Sequence, residues 1–238
     1  MTATCTSASA ENATANLAAL CRERAATYRL LGRFFISELD ADFLETLKAM
    51  RLPAKTGNEM IDEGYRLIAR YLGGFWDTSF TESSVDFTRT FVGHGNEGHS
   101  AAYPTESVYT SEKHLTMQGS RDEVMAFYRT WGLERSESIA ENEDHITVEL
   151  EFLAALSERC ADCLERGEME KATDLLAAQQ QFLDEHVLRW AKVFAQGIRV
   201  FSRTDLYQGA GYLLEGFLTE DRAFLNEILD ADDEEKEA

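Results

Sequence analysis

The sequence predicts an all-α protein, a compact helical globule of about ten helices whose two halves are joined by a glycine-rich loop. Three observations lead there. Only 2 Pro stand against 15 Gly in 238 residues, and Ala, Leu, Glu and Arg, all good helix formers, dominate the composition. Runs rich in Val, Ile and Thr are scarce, and no stretch reads as a strand, a heptad array or an internal repeat. A chain of this length with 44% hydrophobic residues can bury a large core, as one big domain or two closely packed lobes.

Residues 1–16, MTATCTSASAENATAN, are small and polar and are expected to form a disordered segment, with Asn16 as the N-cap of the first helix. They hold no Lys, no Arg and no apolar run, so no secretory or transit signal is expected there. The domain proper is expected over 17–229. Its N-terminal half, 17–92, opens with NLAALCRERAATYRLLGRFFISEL, which sets Leu17, Leu20, Cys21, Tyr28, Leu31 and Phe35 on one helical stripe. ADFLETLKAM gives a short helix ended by Pro53, NEMIDEGYRLIARYLGGF a third stopped by Gly73-Gly74, and SVDFTRTFVG a fourth closed by Gly93. The next stretch, GHGNEGHSAAYPTES, has three glycines and one proline in fifteen residues and reads as a linker loop over 93–108. Loops of that length without structure of their own are uncommon and often functional.

The C-terminal half, 109–229, begins its helices with RDEVMAFYRTWGL, where Val124, Phe127, Tyr128 and Trp131 fall at i, i+3, i+4 and i+7 before Gly132. A helix then starts in NEDHITVELEFL and runs to about Arg166. EMEKATDLLAAQQQFLDEHVLRWAKVFAQGI reads as one long amphipathic helix, and RTDLYQGAGYLLEGFL and EDRAFLNEIL complete the fold. Residues 230–238 form an acidic tail.

The net charge is -20, and the tail DADDEEKEA carries only -5 of it, so the folded body is itself acidic. Such a field repels nucleic acid and anionic lipid and favours basic peptides or proteins, although surface acidity also serves solubility alone. No run approaches the ~18 apolar residues of a spanning helix, so no membrane insertion is expected and the location expected is cytoplasmic. The cysteines are Cys5, Cys21, Cys160 and Cys163. CADC is a lone C-x-x-C within a helical pattern, lacks a second pair at zinc spacing, and reads as structural or incidental thiols.

Asp144, His145 and Glu149 draw attention because His145 and Glu149 are i, i+4 neighbours on a stripe that continues through Phe152, Leu153 and Leu156. Asn142 or Asp144 could cap the helix, leaving a satisfied histidine. His145 and Glu149 could ligate a metal with His94 or His99, but H-E-x-x-H is absent. They could act as an acid–base pair, but no nucleophile motif, phosphate loop or G-x-S-x-G accompanies them. Or the acids could hold arginine at the rim of an apolar groove by charge-assisted hydrogen bonds. No catalytic residue, metal or cofactor is assigned. A helical metal-dependent hydrolase using His145 and Glu149 is the alternative from another class.

Several blocks, in this order, carry a resemblance: DFTRTFVG, YPTESVY, VMAFYRTWGL, EDHITVELEFL, FLDEHVLRWAKVFAQGI and DLYQGAGYLLEGFL. Together they resemble the TorD/DmsD family of redox-enzyme maturation chaperones, and more distantly the NarJ type, over roughly Leu17 to Leu218. The resemblance implies an all-helical, non-catalytic protein without a cofactor. It implies binding of the apo catalytic subunit of a molybdenum enzyme of the dimethyl sulfoxide reductase type, of that subunit's twin-arginine leader peptide, or of both. The chaperone would hold the subunit for cofactor insertion and delay its export, as a monomer or a domain-swapped dimer. A NarJ-like chaperone would instead serve a non-exported subunit with no leader. Carried over by position, the binding surface would comprise Asp144, His145, Glu149, Tyr103, Pro104, Glu106, Ser107, Phe91 and Gly93. Phe91 and Tyr103 suit core or loop anchoring as well, and Gly93 a C-cap. Two departures bear on the loop: His94 stands where the family commonly has proline, as do Asn142-Glu143 before the acidic pair.

Overall fold

The computed structural model describes residues 3–53, 55–93, 101–137 and 139–237. Among them are ten α-helices: α1 (Ala3–Ile36), α2 (Ala41–Ala49), α3 (Glu59–Gly73), α4 (Ser79–Phe87), α5 (Glu106–Thr110), α6 (Gly119–Thr130), α7 (Ile146–Glu165), α8 (Met169–Glu185), α9 (Ala191–Phe201) and α10 (Asp205–Glu237). A π-helical turn, Thr88–Val92, extends α4, and a 3-10 turn, Val187–Arg189, follows α8. The described residues contain no sheet, only an isolated antiparallel bridge between Thr105 and His145.

Local chemistry sets many of these ends. Asp40 caps α2 by accepting from the Phe43 N–H at 2.8 Å. Asn58 caps α3 by accepting from the Met60 and Ile61 N–H groups, and Gly74 closes that helix with its N–H on the Arg70 carbonyl. Gly93 ends the π turn at φ 74°, a conformation that favours glycine. A Cβ there would stand 3.0 Å from both the Ala101 Cβ and the Tyr103 Oη, so chain on both sides of 94–100 meets at this glycine.

Four boundaries differ from expectation. Helix α1 begins at Ala3, so Asn16 lies inside it and caps nothing; the alanine-rich run ahead contains no breaker. Its inward stripe runs through Ala18, Cys21, Ala25 and Tyr28, and leaves Leu20 exposed. The helix expected over 168–198 bends at His186 (φ -122°, ψ -78°), which lets Val187 and Trp190 bury completely. The two closing helices and most of the acidic tail form one helix, α10. The linker expected over 93–108 becomes helical from Glu106 onward.

The core joins all parts. Helix α1 lies along α7, α3 along α10, and α8 and α9 pack on α10. Phe91 is a hub, its ring centroid 5.7 Å from Phe35, 5.0 Å from Phe87 and 5.4 Å from Tyr207. Such aromatic pairs contribute ~0.5–1.5 kcal/mol each beyond the area they bury. The α3–α10 seam depends on glycine: a Cβ on Gly64 would lie 2.7 Å from Leu213 Cγ and 2.9 Å from the Gly209 carbonyl oxygen.

Two buried ionic clamps close the fold. Arg24 of α1 donates Nε and Nη2 to the two Asp221 oxygens of α10 at 2.5 and 2.9 Å, and Tyr28 Oη donates to Oδ2 at 2.5 Å. Asp86 of α4 caps α10 from outside it. Its carboxylate accepts from the backbone N–H groups of Arg203 and Thr204 and from the Thr204 hydroxyl, the last two at 2.7 Å.

Candidate functional site

Seven of the expected site residues belong to one junction, where the chain leaving the linker meets the N-terminus of α7. Two backbone hydrogen bonds join the linker end to the entrance of α7, Glu106 N–H to Asp144 O at 2.9 Å and Ile146 N–H to Pro104 O at 2.9 Å, and a third, Ala102 N–H to Thr90 O at 2.7 Å, ties the linker to the π turn. Asp144 sits at the junction, and its Oδ2 accepts from the Ser107 N–H at 3.1 Å and the Ser107 hydroxyl at 2.5 Å.

The cap of α7 is His145, not Asn142 or Asp144. Its Nδ1 accepts from the Thr147 N–H at 3.2 Å, which requires a neutral ring with that nitrogen unprotonated. Burial holds its pKa down, from 6.5 to about 4, and so preserves the acceptor. The neighbouring Glu143 faces outward instead and binds Arg121 at 2.6 Å and Arg135 at 3.4 Å.

One helical turn inward, the Glu149 carboxyl is fully buried with no aligned hydrogen-bond partner. Burial, and then the nearby Glu106 and Asp144 charges, push its pKa well above the usual carboxyl range. Glu106 is also fully buried, and its Oε2 lies 3.2 Å from His186 Nδ1.

These facts bear on the expected surface. Asp144, Glu106, Glu149 and Ser107 have no exposed area, and His145 and Phe91 have only 3% each. An arginine at the surface has no carboxylate to reach among them. The physical reason is that the entrance to α7 faces the core, where Asp144 binds the linker end instead of solvent. Phe91 is core and Gly93 a helix terminus. Tyr103 and Pro104 are half-buried beside them.

Nor is the junction arranged for hydrolysis. The Ser107 hydroxyl bonds a carboxylate, not an imidazole that could take its proton. Among the described residues no group of three or more His, Cys, Asp or Glu is placed to hold a metal ion. His94 and His99 lie outside the described residues.

The outer side of α7 offers what the inner side does not. Val148, Glu151, Phe152 and Ala155 line an open pocket of about 220 Å³, with Tyr128, Leu133 and Ile139 opposite. Its floor is apolar and aromatic, and exposed Glu134 stands at its rim. This pocket was not expected from the sequence. The residues at 133–139 carry no helical period, so the i, i+3, i+4 pattern gave no hint that Leu133 and Ile139 face Phe152. Asp86 was not singled out either, although it opens the DFTRTFVG block.

Among known proteins, the nitrate reductase delta subunit family matches residues 58–196. The chain is 27% identical over 151 residues to the chaperone protein TorD of Vibrio cholerae serotype O1 strain ATCC 39541, covering 62% of this chain and 64% of that protein. It is 25% identical over 209 residues to the chaperone protein TorD of Vibrio parahaemolyticus, covering 85% and 94%. With the same-named protein of Aliivibrio salmonicida it shares 26% over 216 residues, covering 88% and 97%. The first of these matches thus spans less than two thirds of its relative's length.

Proposed function

The chain belongs to the nitrate reductase delta subunit family, in its TorD/DmsD branch, and from that premise we propose that it is a cytoplasmic, non-catalytic chaperone for maturation of a redox enzyme. Its client would be the apo catalytic subunit of a molybdenum oxidoreductase of the dimethyl sulfoxide reductase type, its twin-arginine leader peptide, or both. Binding would be reversible and would hold the subunit until cofactor insertion, delaying export.

The observation that carries this reading is the position of the pocket on α7. It lies within the matched segment, on the outer side of the helix whose inner side holds the linker. An apolar segment of a leader would fill the floor formed by Val148, Phe152 and Ile139. Glu134 and the acidic body would favour its basic residues. Solvated ion pairs contribute only ~0–1 kcal/mol each, so affinity would come mostly from apolar burial. In this reading Asp144, His145, Glu149, Glu106 and Ser107 frame the docking helix, with Phe91, Gly93, Tyr103 and Pro104 anchoring the linker against it. None of the nine needs to touch the peptide.

The test is a pull-down from the native cell, followed by titration of the full chain with the captured enzyme's leader peptide. The expected result is binding that weakens with salt and falls about tenfold in Ile139→Asp and several-fold in Glu134→Lys. Unchanged affinity in both variants would remove the pocket from the proposal. Capture of the subunit without any leader affinity would point to a NarJ-like client. Capture of no redox subunit at all would overturn the chaperone reading.

A further inference from the structure

The helix pair α1–α7 holds two thiols that the proposed function does not use. Cys21 of α1 and Cys160 of α7 are fully buried, and their Sγ atoms are 3.8 Å apart although 139 residues separate them. Closing that gap to a bond requires small side-chain rotations between helices that already lie side by side. Arg24, one turn along α1, has an Nη1 without a hydrogen-bond partner and a charge that favours a Cys21 thiolate. The Cys160 S–H, first, and Arg24 together hold the Cys21 pKa down against burial, at about 7, well below an ordinary thiol.

A cavity lies one helical turn from the pair, although neither cysteine lines it. It measures about 180 Å³ and opens between α1, α7, α8 and α10, lined by Leu17, Leu164 and Ala172 among others. Leu17 and Leu164 are each one helical turn from the cysteine on their own helix. Cys160 itself reaches the Ala172 carbonyl, its Sγ 3.6 Å from the oxygen. Cys163 is directed elsewhere, 3.7 Å from a Glu168 carboxylate oxygen and beside a separate cleft with Trp131 and Arg166.

We propose that Cys21 and Cys160 are an oxidisable pair, a covalent lock between α1 and α7 that closes when the protein meets hydrogen peroxide. The Cys21 thiolate attacks one peroxide oxygen. An S–O bond forms as the O–O bond breaks, and the departing hydroxide takes a proton to become water. Cys160 sulfur then attacks the sulfenic sulfur, the S–S bond forms, and the second hydroxide leaves with the Cys160 proton. Two thiols lose two electrons, and one peroxide becomes two waters. Cys21 is the attacking and Cys160 the resolving residue.

The experiment treats the full chain with hydrogen peroxide, alkylates the remaining thiols in denaturant, and maps the unreduced peptides. Of the four thiols, two are expected to be lost, recovered by dithiothreitol, with one cross-linked species joining the Cys21 and Cys160 peptides. Cys163→Ser should leave that species unchanged, and Cys160→Ser should replace it with a sulfenic acid on Cys21 trapped by dimedone. Four free thiols after treatment, a Cys160–Cys163 bridge, or oxidation confined to Cys163 would each overturn the proposal. The first mapping uses the unaltered protein, so it stands even if a variant fails to fold.

Discussion

Asp144 binds both the backbone N–H and the hydroxyl of Ser107, 37 residues earlier in the chain, through a single buried carboxylate oxygen. The contact is made inside the fold by Asp144. It ties the end of the linker to the helix that carries the outer pocket.

Removing the hydroxyl should therefore weaken the whole fold. Ser107→Ala is expected to cost about 2 kcal/mol, since hydrogen bonds to a charged partner contribute ~1.5–3 kcal/mol. Asp144→Ala should cost more, because it also strands the Ser107 N–H. Urea denaturation of the two variants checks this, and wild-type midpoints would show the contact to be energetically idle.

His145 gives a pH signature with a definite sign. Its pKa is 6.5 in the unfolded chain and about 4 when folded. Between those values the unfolded chain takes up a proton that the folded chain refuses. The cap's contribution is thus complete above pH 6.5 and is lost as pH falls toward 4, by about 3 kcal/mol in all. His145→Asn keeps an acceptor at the cap but cannot titrate. It should flatten the stability slope in that window, measured by denaturation at a series of pH values.

Glu149 titrates the other way. Its folded pKa is raised, so its contribution is present at low pH and lost as pH rises toward the folded value. Glu149→Gln replaces the carboxyl by an amide of the same shape that cannot titrate. The variant should gain stability relative to wild type steadily as pH rises above the unfolded carboxyl value of ~4.5, measured by denaturation at a series of pH values. A stability difference that does not change with pH would count against a raised folded value.

Gly64→Ala should destabilise by about 1–3 kcal/mol despite alanine's better helix propensity, because its Cβ meets the Gly209 backbone oxygen. Gly73→Ala is the control. Nothing lies within 4 Å of a Cβ there, and the change should be neutral or stabilising by up to ~1 kcal/mol. Thermal midpoints for the pair separate packing from propensity.

Helical periodicity and capping chemistry made the architecture legible. Gly73-Gly74, Gly93 and Gly132 each stand at or just past a helix end, while the Asp40 and Asn58 caps were not singled out. The inward direction of Glu149 was partly legible, since it shares the stripe of Leu153 and Leu156. Its burial was not, because a carboxyl on an apolar stripe normally marks the edge of a helix face. Its buried surroundings include Glu106, far away in the chain, and no local pattern encodes that neighbour. The Cys21–Cys160 contact and the Asp86 cap on α10 were hidden for the same reason. The bend at His186 was hidden because the apolar period runs through it unbroken.

The Arg24–Asp221 clamp also bears on how the protein is made. Synthesis proceeds from the N-terminus, so the guanidinium in α1 leaves the ribosome long before its partner, which follows 197 residues later. Until Asp221 emerges, a charge destined for the interior has no counter-ion and must stay in water. Helix α1 therefore cannot seat fully on the growing bundle. The nascent chain keeps one side open until α10 is made, and that helix is what seals it.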